Sequence, residues 1–123
     1  MKNKEIKTKN IYRIEGKVQN YDWGGKSFIP NLISINQKSN VTYAEYWLGA
    51  HAKAPSMIKT NQENISLDVF LNQNLAENLG LKVLNDFGKL PYLFKVLDVH
   101  KMLSIQVHPT IEAAKIGYDL ENK

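Results

Sequence analysis

The sequence predicts a mainly β domain with a helical insert, and three observations carry that prediction. Runs rich in β-branched and aromatic residues recur at 11–18, 41–48, 90–99 and 103–108, the composition of strands rather than helices. Between roughly Ser66 and Leu84 the apolar spacing changes to the three-and-four pattern of a helix. The run Leu103-Ser104-Ile105-Gln106-Val107-His108-Pro109 then alternates strictly. As a strand it points Leu103, Ile105 and Val107 into a core and lines Ser104, Gln106 and His108 along the opposite face, with Pro109 as the stop.

Taken in order, Met1 to Asn10 is polar and lysine-rich and reads as a flexible basic tail (residues 1–10). No apolar core follows it, so it is not expected to be a signal peptide. Ile11 to Val18 reads as a first strand, and Tyr21-Asp22-Trp23-Gly24-Gly25 as a turn carrying two large aromatics. Leu32 to Ile35 is a short strand or a helix end, followed by a polar turn at Asn36–Asn40. Val41 to Leu48 is a strand with Tyr43, Glu45 and Trp47 on one face. Gly49 to Ser56 is a loop, and Asn61 to Asn64 a polar connection. Ser66 is a helix N-cap ahead of Leu67, Phe70 and Leu71. Leu75 and Leu79 mark a second short helix closed by Gly80. Leu90 to Val99 has the continuous apolar character of a strand buried on both faces. Thr110 caps a last helix, whose Ile111, Ala114 and Tyr118 fall on one side.

Composition narrows the function. With 123 residues, 43% hydrophobic and 23% charged, the chain is long enough for one domain with a core and too short for two. It has no cysteine, which removes disulfides, thiolate zinc sites and cysteine nucleophiles and fits a cytoplasmic protein. No apolar run approaches the ~20 residues of a membrane span. The net charge of +4 comes partly from Lys2, Lys4, Lys7 and Lys9 in the tail. The other cations are scattered and no basic patch interleaves with aromatics, so no nucleic-acid partner is expected. A modest positive balance suits a small anionic substrate.

Several side chains could carry chemistry. Gln106 and His108, at i and i+2 of a strand, point the same way and can share one metal ion, although glutamine is an unusual ligand. The alternative is a polar strand face with a hydrogen-bonded imidazole. Glu45, between two aromatics, is either desolvated toward general acid–base use or an edge carboxylate facing water. Lys95 interrupts an apolar run, where it either snorkels or reaches an anion in a cavity; a run buried on both faces favours the cavity. Trp23 with Tyr21 could floor a sugar pocket or belong to the core. His51 reads as a loop imidazole bonded to backbone, and His100 as solvated. No phosphate loop, nucleophile elbow or paired-acid glycosidase pattern is present.

Five runs occur in a recognisable order: Tyr21-Asp22-Trp23-Gly24, Ala44-Glu45-Tyr46-Trp47-Leu48-Gly49-Ala50-His51, Lys53-Ala54-Pro55-Ser56, Leu90-Pro91-Tyr92-Leu93-Phe94-Lys95-Val96-Leu97 and Leu103 to Pro109. Together they resemble the N-terminal part of the type I mannose-6-phosphate isomerases, from about Tyr12 onward. The resemblance implies a cupin-like β-sandwich (jelly roll), incomplete over residues 11–123, and a zinc (Zn2+) enzyme interconverting mannose 6-phosphate and fructose 6-phosphate. It implies Gln106 and His108 as two zinc ligands. It also implies Lys95 and Ser104 as contacts to the hexose 6-phosphate, with Lys95 and Glu45 in the catalytic machinery and Glu45 and Trp23 as pocket walls. The family completes its zinc site with a glutamate and a histidine beyond the position of Lys123, so the chain is expected to be truncated. The alternative is a non-catalytic cupin-type fragment or sugar-phosphate-binding module with an incomplete metal site. A sandwich short of strands is expected to expose edges and half a core.

Overall fold

The computed structural model describes residues 11–59 and 64–122. The expected tail at 1–10 and most of the Asn61–Asn64 connection lie outside them. Two three-stranded antiparallel sheets organise the rest. Strands β1 (Arg13–Glu15), β4 (Met57–Lys59) and β5 (Asn64–Ser66) form one, in the order β1-β4-β5. Strands β2 (Lys17–Gln19), β3 (Glu45–Leu48) and β6 (Phe94–Leu97) form the other, in the order β2-β3-β6. Helices α1 (Phe28–Leu32), α2 (Leu67–Gln73), α3 (Leu75–Leu79), α4 (Leu81–Phe87) and α5 (Ile111–Glu121) complete the chain. Helices hold more of the described residues than strands do, so the domain is mixed rather than mainly β.

The expected first strand is two strands, broken at Gly16, where the chain passes from one sheet to the other. The Gly16 N–H donates to Tyr46 Oη at 2.7 Å. A side chain at Gly16 would meet the Trp47 carbonyl oxygen at 2.3 Å, so only glycine lets the chain turn this close to β3. Residues 32–35 resolve to a helix end, because α1 closes at Leu32 after burying Ile29 and Pro30.

The helical insert runs from Leu67 to Phe87, three residues beyond expectation, because α4 follows directly on Gly80 and ends at Gly88 with φ 66°. Ser66 stands at the N-cap of α2, but its hydroxyl donates to the Asp68 carboxylate rather than capping a backbone amide. Thr110 does cap α5, its Oγ1 accepting from the Ala113 N–H at 3.2 Å. Asn74 caps α3 likewise through Glu77 N–H at 3.2 Å.

The core lies around β3. Tyr43, Glu45 and Trp47 are buried on one face as the alternation requires, and Ala44 is fully buried on the other. Ala44 is covered by the Trp23–Gly25 turn, which lies between 43–44 and 98–101. The Tyr43 N–H donates to the Gly25 carbonyl at 2.7 Å, and the Gly25 N–H to the Asp98 carbonyl at 3.0 Å. The Asp98 N–H returns to the Ala44 carbonyl at 2.9 Å. Three segments distant in sequence are thereby tied by backbone bonds.

Two expectations fail at the C-terminal side. The 90–99 run is a four-residue strand, β6, with Phe94 and Leu97 exposed rather than buried, because among the described residues β6 is an edge strand paired with β3 alone. Leu103 to His108 is not a strand and its apolar row is not core: Ile105 is 99% and Val107 92% exposed. Alternation makes a strand only where another backbone supplies donors and acceptors. Among the described residues the last such bond in this stretch is Lys101 N–H to the Trp23 carbonyl at 3.0 Å. Helix α5 is correspondingly exposed on every side.

Two outcomes follow for stability. At Gly24 an added Cβ would fall 2.6 Å from the Ala44 backbone, so Gly24→Ala is expected to destabilise by about 1–3 kcal/mol. At Gly117, in exposed α5, nothing lies within 4 Å, so Gly117→Ala is expected to stabilise by up to about 1 kcal/mol. Urea titration of both variants checks the pair, and equal midpoints would contradict it. The second outcome concerns pH. The Lys59 ammonium, 2.8 Å from Glu15, donates a hydrogen bond and a charge that hold this carboxyl below its ordinary range. A depressed folded-state value stabilises above the unfolded value and is lost as pH falls through the folded one. Glu15→Gln should therefore lower stability at pH 7 by no more than about 0.5 kcal/mol, since the pair is exposed. That difference should shrink as pH falls below the ordinary glutamate value of about 4.3, which paired melts at pH 7 and pH 3 would read.

Candidate functional site

β3 and β6 set the centre of the site by register. Trp47 faces Lys95 across the strand pair, and Glu45 faces Leu97. Residues two apart on a strand share a face, and cross-strand partners stand side by side, so Glu45, Trp47 and Lys95 converge. Glu45 is only 8% exposed, and a buried carboxylate must be partnered. It is partnered twice. Its Oε2 accepts from the Trp47 indole N–H, and Lys95 Nζ lies 3.3 Å from the same oxygen. The Lys95 ammonium also sits 4.5 Å from the centroid of the Trp47 ring, a cation–π geometry worth about 0.5–1 kcal/mol at a partly exposed position.

Glu45 is thus buried beside Trp47 on a central strand, rather than facing water at a sheet edge. Lys95 neither reaches a closed cavity nor extends freely into water. Its side chain is 37% exposed, lying over an aromatic face with one side turned to solvent.

His51 joins this group edge-on to Trp47, ring centroids 4.9 Å apart. Its loop is closed at the neck. The Gly49 N–H donates to Ser56 Oγ at 2.9 Å, and the Ser56 N–H to the Gly49 carbonyl at 2.8 Å, with Ser56 fully buried. His51 Nδ1 accepts from the Lys53 N–H at 3.2 Å, the backbone role expected of it. Trp47 was visible in the sequence only as a neighbour of Glu45. Its alternation with Glu45 was the available signal, whereas its cross-strand place beside Lys95 depends on a register no local pattern encodes.

The other candidates lie apart from this group. Trp23 is half-buried in the glycine turn and stacks on Tyr21, centroids 5.6 Å apart and planes 21° from parallel. Ser104, Gln106 and His108 are all exposed in the irregular segment before α5. Among the described residues no group of three His, Cys, Asp or Glu side chains could hold a metal. One amide and one imidazole on an exposed segment do not meet the three protein ligands of a catalytic zinc, so the described residues alone do not build that site. An open cavity of ≈ 890 Å³ lies elsewhere, where the β1–β2 break faces the residues after α1; Arg13, Lys17, Tyr46 and Lys59 are among its walls.

Sheets and helices in this arrangement are found in sugar-phosphate isomerases of known structure. A variant of phosphomannose isomerase from Salmonella typhimurium superposes with a TM-score of 0.79 at 42% identity, covering 93% of this chain and 30% of that one. A zinc-bound mannose 6-phosphate isomerase does so with a TM-score of 0.79 at 42% identity, over 90% of this chain and 28% of its own. In sequence, the mannose-6-phosphate isomerase of Salmonella typhimurium is 43% identical over 113 residues, 91% of this chain and 29% of the relative. That of Escherichia coli is 39% identical over the same shares. The family model described as phosphomannose isomerase type I, catalytic domain, matches residues 11–123. The chain belongs to the type I phosphomannose isomerase family, and it spans less than a third of the length of these relatives.

The Glu45–Lys95 pair is open to direct measurement. A double-mutant cycle with Glu45→Gln and Lys95→Met, read from urea midpoints, should give a coupling of about 0.5–1 kcal/mol. The coupling should shrink in 1 M salt. Coupling indistinguishable from zero at low salt would mean that the pair is not held in solution.

Proposed function

We propose that this chain serves a zinc-dependent aldose–ketose isomerase that interconverts mannose 6-phosphate and fructose 6-phosphate. The observation that carries the reading is the family match over residues 11–123, and the convergence of Glu45 and Lys95 on Trp47 agrees with it. In this reading the fold is the cupin-like jelly roll of the family and the protein is cytoplasmic. No helix among the described residues is long and apolar enough to cross a membrane.

The roles follow from charge and position. Lys95 presents an ammonium with one side open, suited to the anionic or polarised oxygens of a hexose 6-phosphate. Glu45 holds that ammonium in place within the catalytic machinery, and the reaction moves a proton between C1 and C2 through an enediol. Ser104 adds a hydroxyl contact to the substrate and Trp23 an aromatic pocket wall. Gln106 and His108 would serve as two of the zinc ligands, and the metal, when bound, would supply Lewis-acid stabilisation of charge on the sugar oxygens.

A second reading is favoured by one observation, the exposure of Gln106 and His108 without a third donor among the described residues. On that reading the chain is a non-catalytic cupin-type or sugar-phosphate-binding module.

A coupled assay for fructose 6-phosphate separates the two. Residues 11–123 are spliced in place of the matching segment of the Salmonella typhimurium relative, and the chain alone is assayed beside the chimera with added zinc. The chimera is expected to turn over in a chelator-sensitive manner. Lys95→Met within it should lower kcat/KM about 10²–10³-fold, the loss typical of one charge-stabilising group. A folded, zinc-loaded chimera without turnover would sink the isomerase reading, and turnover by the chain alone would sink the second.

A further inference from the structure

We propose that Trp47 is a positioning residue whose indole N–H and ring face together hold the Glu45 carboxylate and the Lys95 ammonium in one geometry. The inference deepens the reading above, in which that pair serves the substrate.

A lysine–glutamate pair at a partly exposed position ordinarily gains little, because ordering two long side chains offsets the attraction. Here both partners are restrained by a third side chain. The indole N–H donates to Glu45 Oε2 from two residues along the same strand face, which fixes the carboxylate. The ring takes the Lys95 ammonium on its face at 4.5 Å, which restricts the lysine stem, so that Nζ rests 3.3 Å from the oxygen the indole already holds.

Trp47 is itself immobilised. It is 8% exposed, its backbone lies between β2 and β6 opposite Lys17 and Lys95, and its ring makes a T-shaped contact with His51 in the loop clamped by Gly49 and Ser56. Restraint passes from the closed loop, through the indole, to the charged pair. Phenylalanine would supply a face without a donor, and tyrosine a donor at the far end of the ring. Only indole combines a cation-binding face with an N–H on its side. A tryptophan that merely filled space would also need a partner for its N–H. That the partner is the Glu45 carboxylate rather than a backbone carbonyl is what couples packing to charge.

The test uses this chain and needs no turnover. Amine acetylation at Lys95, quantified by mass spectrometry against the exposed Lys89, should rise about two- to fivefold in Trp47→Phe. It should rise further in Trp47→Leu, which removes the face as well. In parallel, the two indole N–H signals are followed by hydrogen exchange. Glu45→Ala should accelerate one of them several-fold and leave the other, from Trp23, unchanged. Unaltered Lys95 labelling in a folded Trp47→Phe chain overturns the proposal. If that variant does not fold, unaltered indole exchange in Glu45→Ala overturns it instead. Protection of Lys95 by mannose 6-phosphate is measured separately, in the zinc-loaded chimera described above. Its absence, with the Trp47→Phe effect intact, counts against the isomerase reading and leaves the positioning role standing.

Discussion

The strand β3 is hydrogen-bonded on both sides, to β2 and to β6, and the rest of the structure is arranged to permit it. A four-residue strand has few ladder bonds, so its place depends on how closely its neighbours approach. Glycines allow that approach. Gly16 lets the chain leave β1 and enter β2 against the Trp47 carbonyl, and Gly24 lies on the Ala44 backbone at a distance no side chain could share. The fully buried Ala44 is the matching small residue. With these in place one face of β3 is sealed by backbone, and the other is left for Tyr43, Glu45 and Trp47.

Sealing a carboxylate into that face is unfavourable unless its lone pairs are met. The Trp47 indole and the Lys95 ammonium meet them on one oxygen, and no buried side-chain polar atom is left without a partner among the described residues. On the isomerase reading, stability and chemistry therefore share the same contacts. The lysine that compensates Glu45 is the cation that the isomerase reading gives to the substrate, so an incoming anion competes with Glu45 for it.

What was legible in the sequence was mostly what is local. The Thr110 cap, the short helix closed at Gly80 and the face shared by Tyr43, Glu45 and Trp47 each depend on residues within a turn or two, or on the period of a single strand. Family membership was legible because five ordered motifs outweigh any one of them. The break at Gly16 was not, since glycine inside an alternating run reads equally as a bulge or a tolerated residue. Neither was the exposure of β6, because a continuous apolar run states that a strand could be buried on both faces and not that two layers exist to bury it. Helix α4 was not legible as a separate element beyond Gly80, and Gly88 in the left-handed region is its actual end.

The candidate site divides along the same line. Glu45, Trp47 and Lys95 stand on strands that find their partners within the described residues, and these three converge. Ser104, Gln106 and His108 stand on a segment with the alternation of a strand and no neighbouring backbone to pair with, and they remain dispersed along an exposed chain. A helix can satisfy its own interior amides, which is why α5 forms a few residues later although no side of it is covered. A strand cannot. The ionic half of the site is thus a property of residues 11–99 acting on each other. On the isomerase reading the donor row at 104–108 needs a partner strand to give it a common direction. In a strand over Leu103–Val107, the alternation that sets Gln106 on one face turns Ile105 and Val107, now exposed, to the other, so that reading links metal binding to sheet formation there.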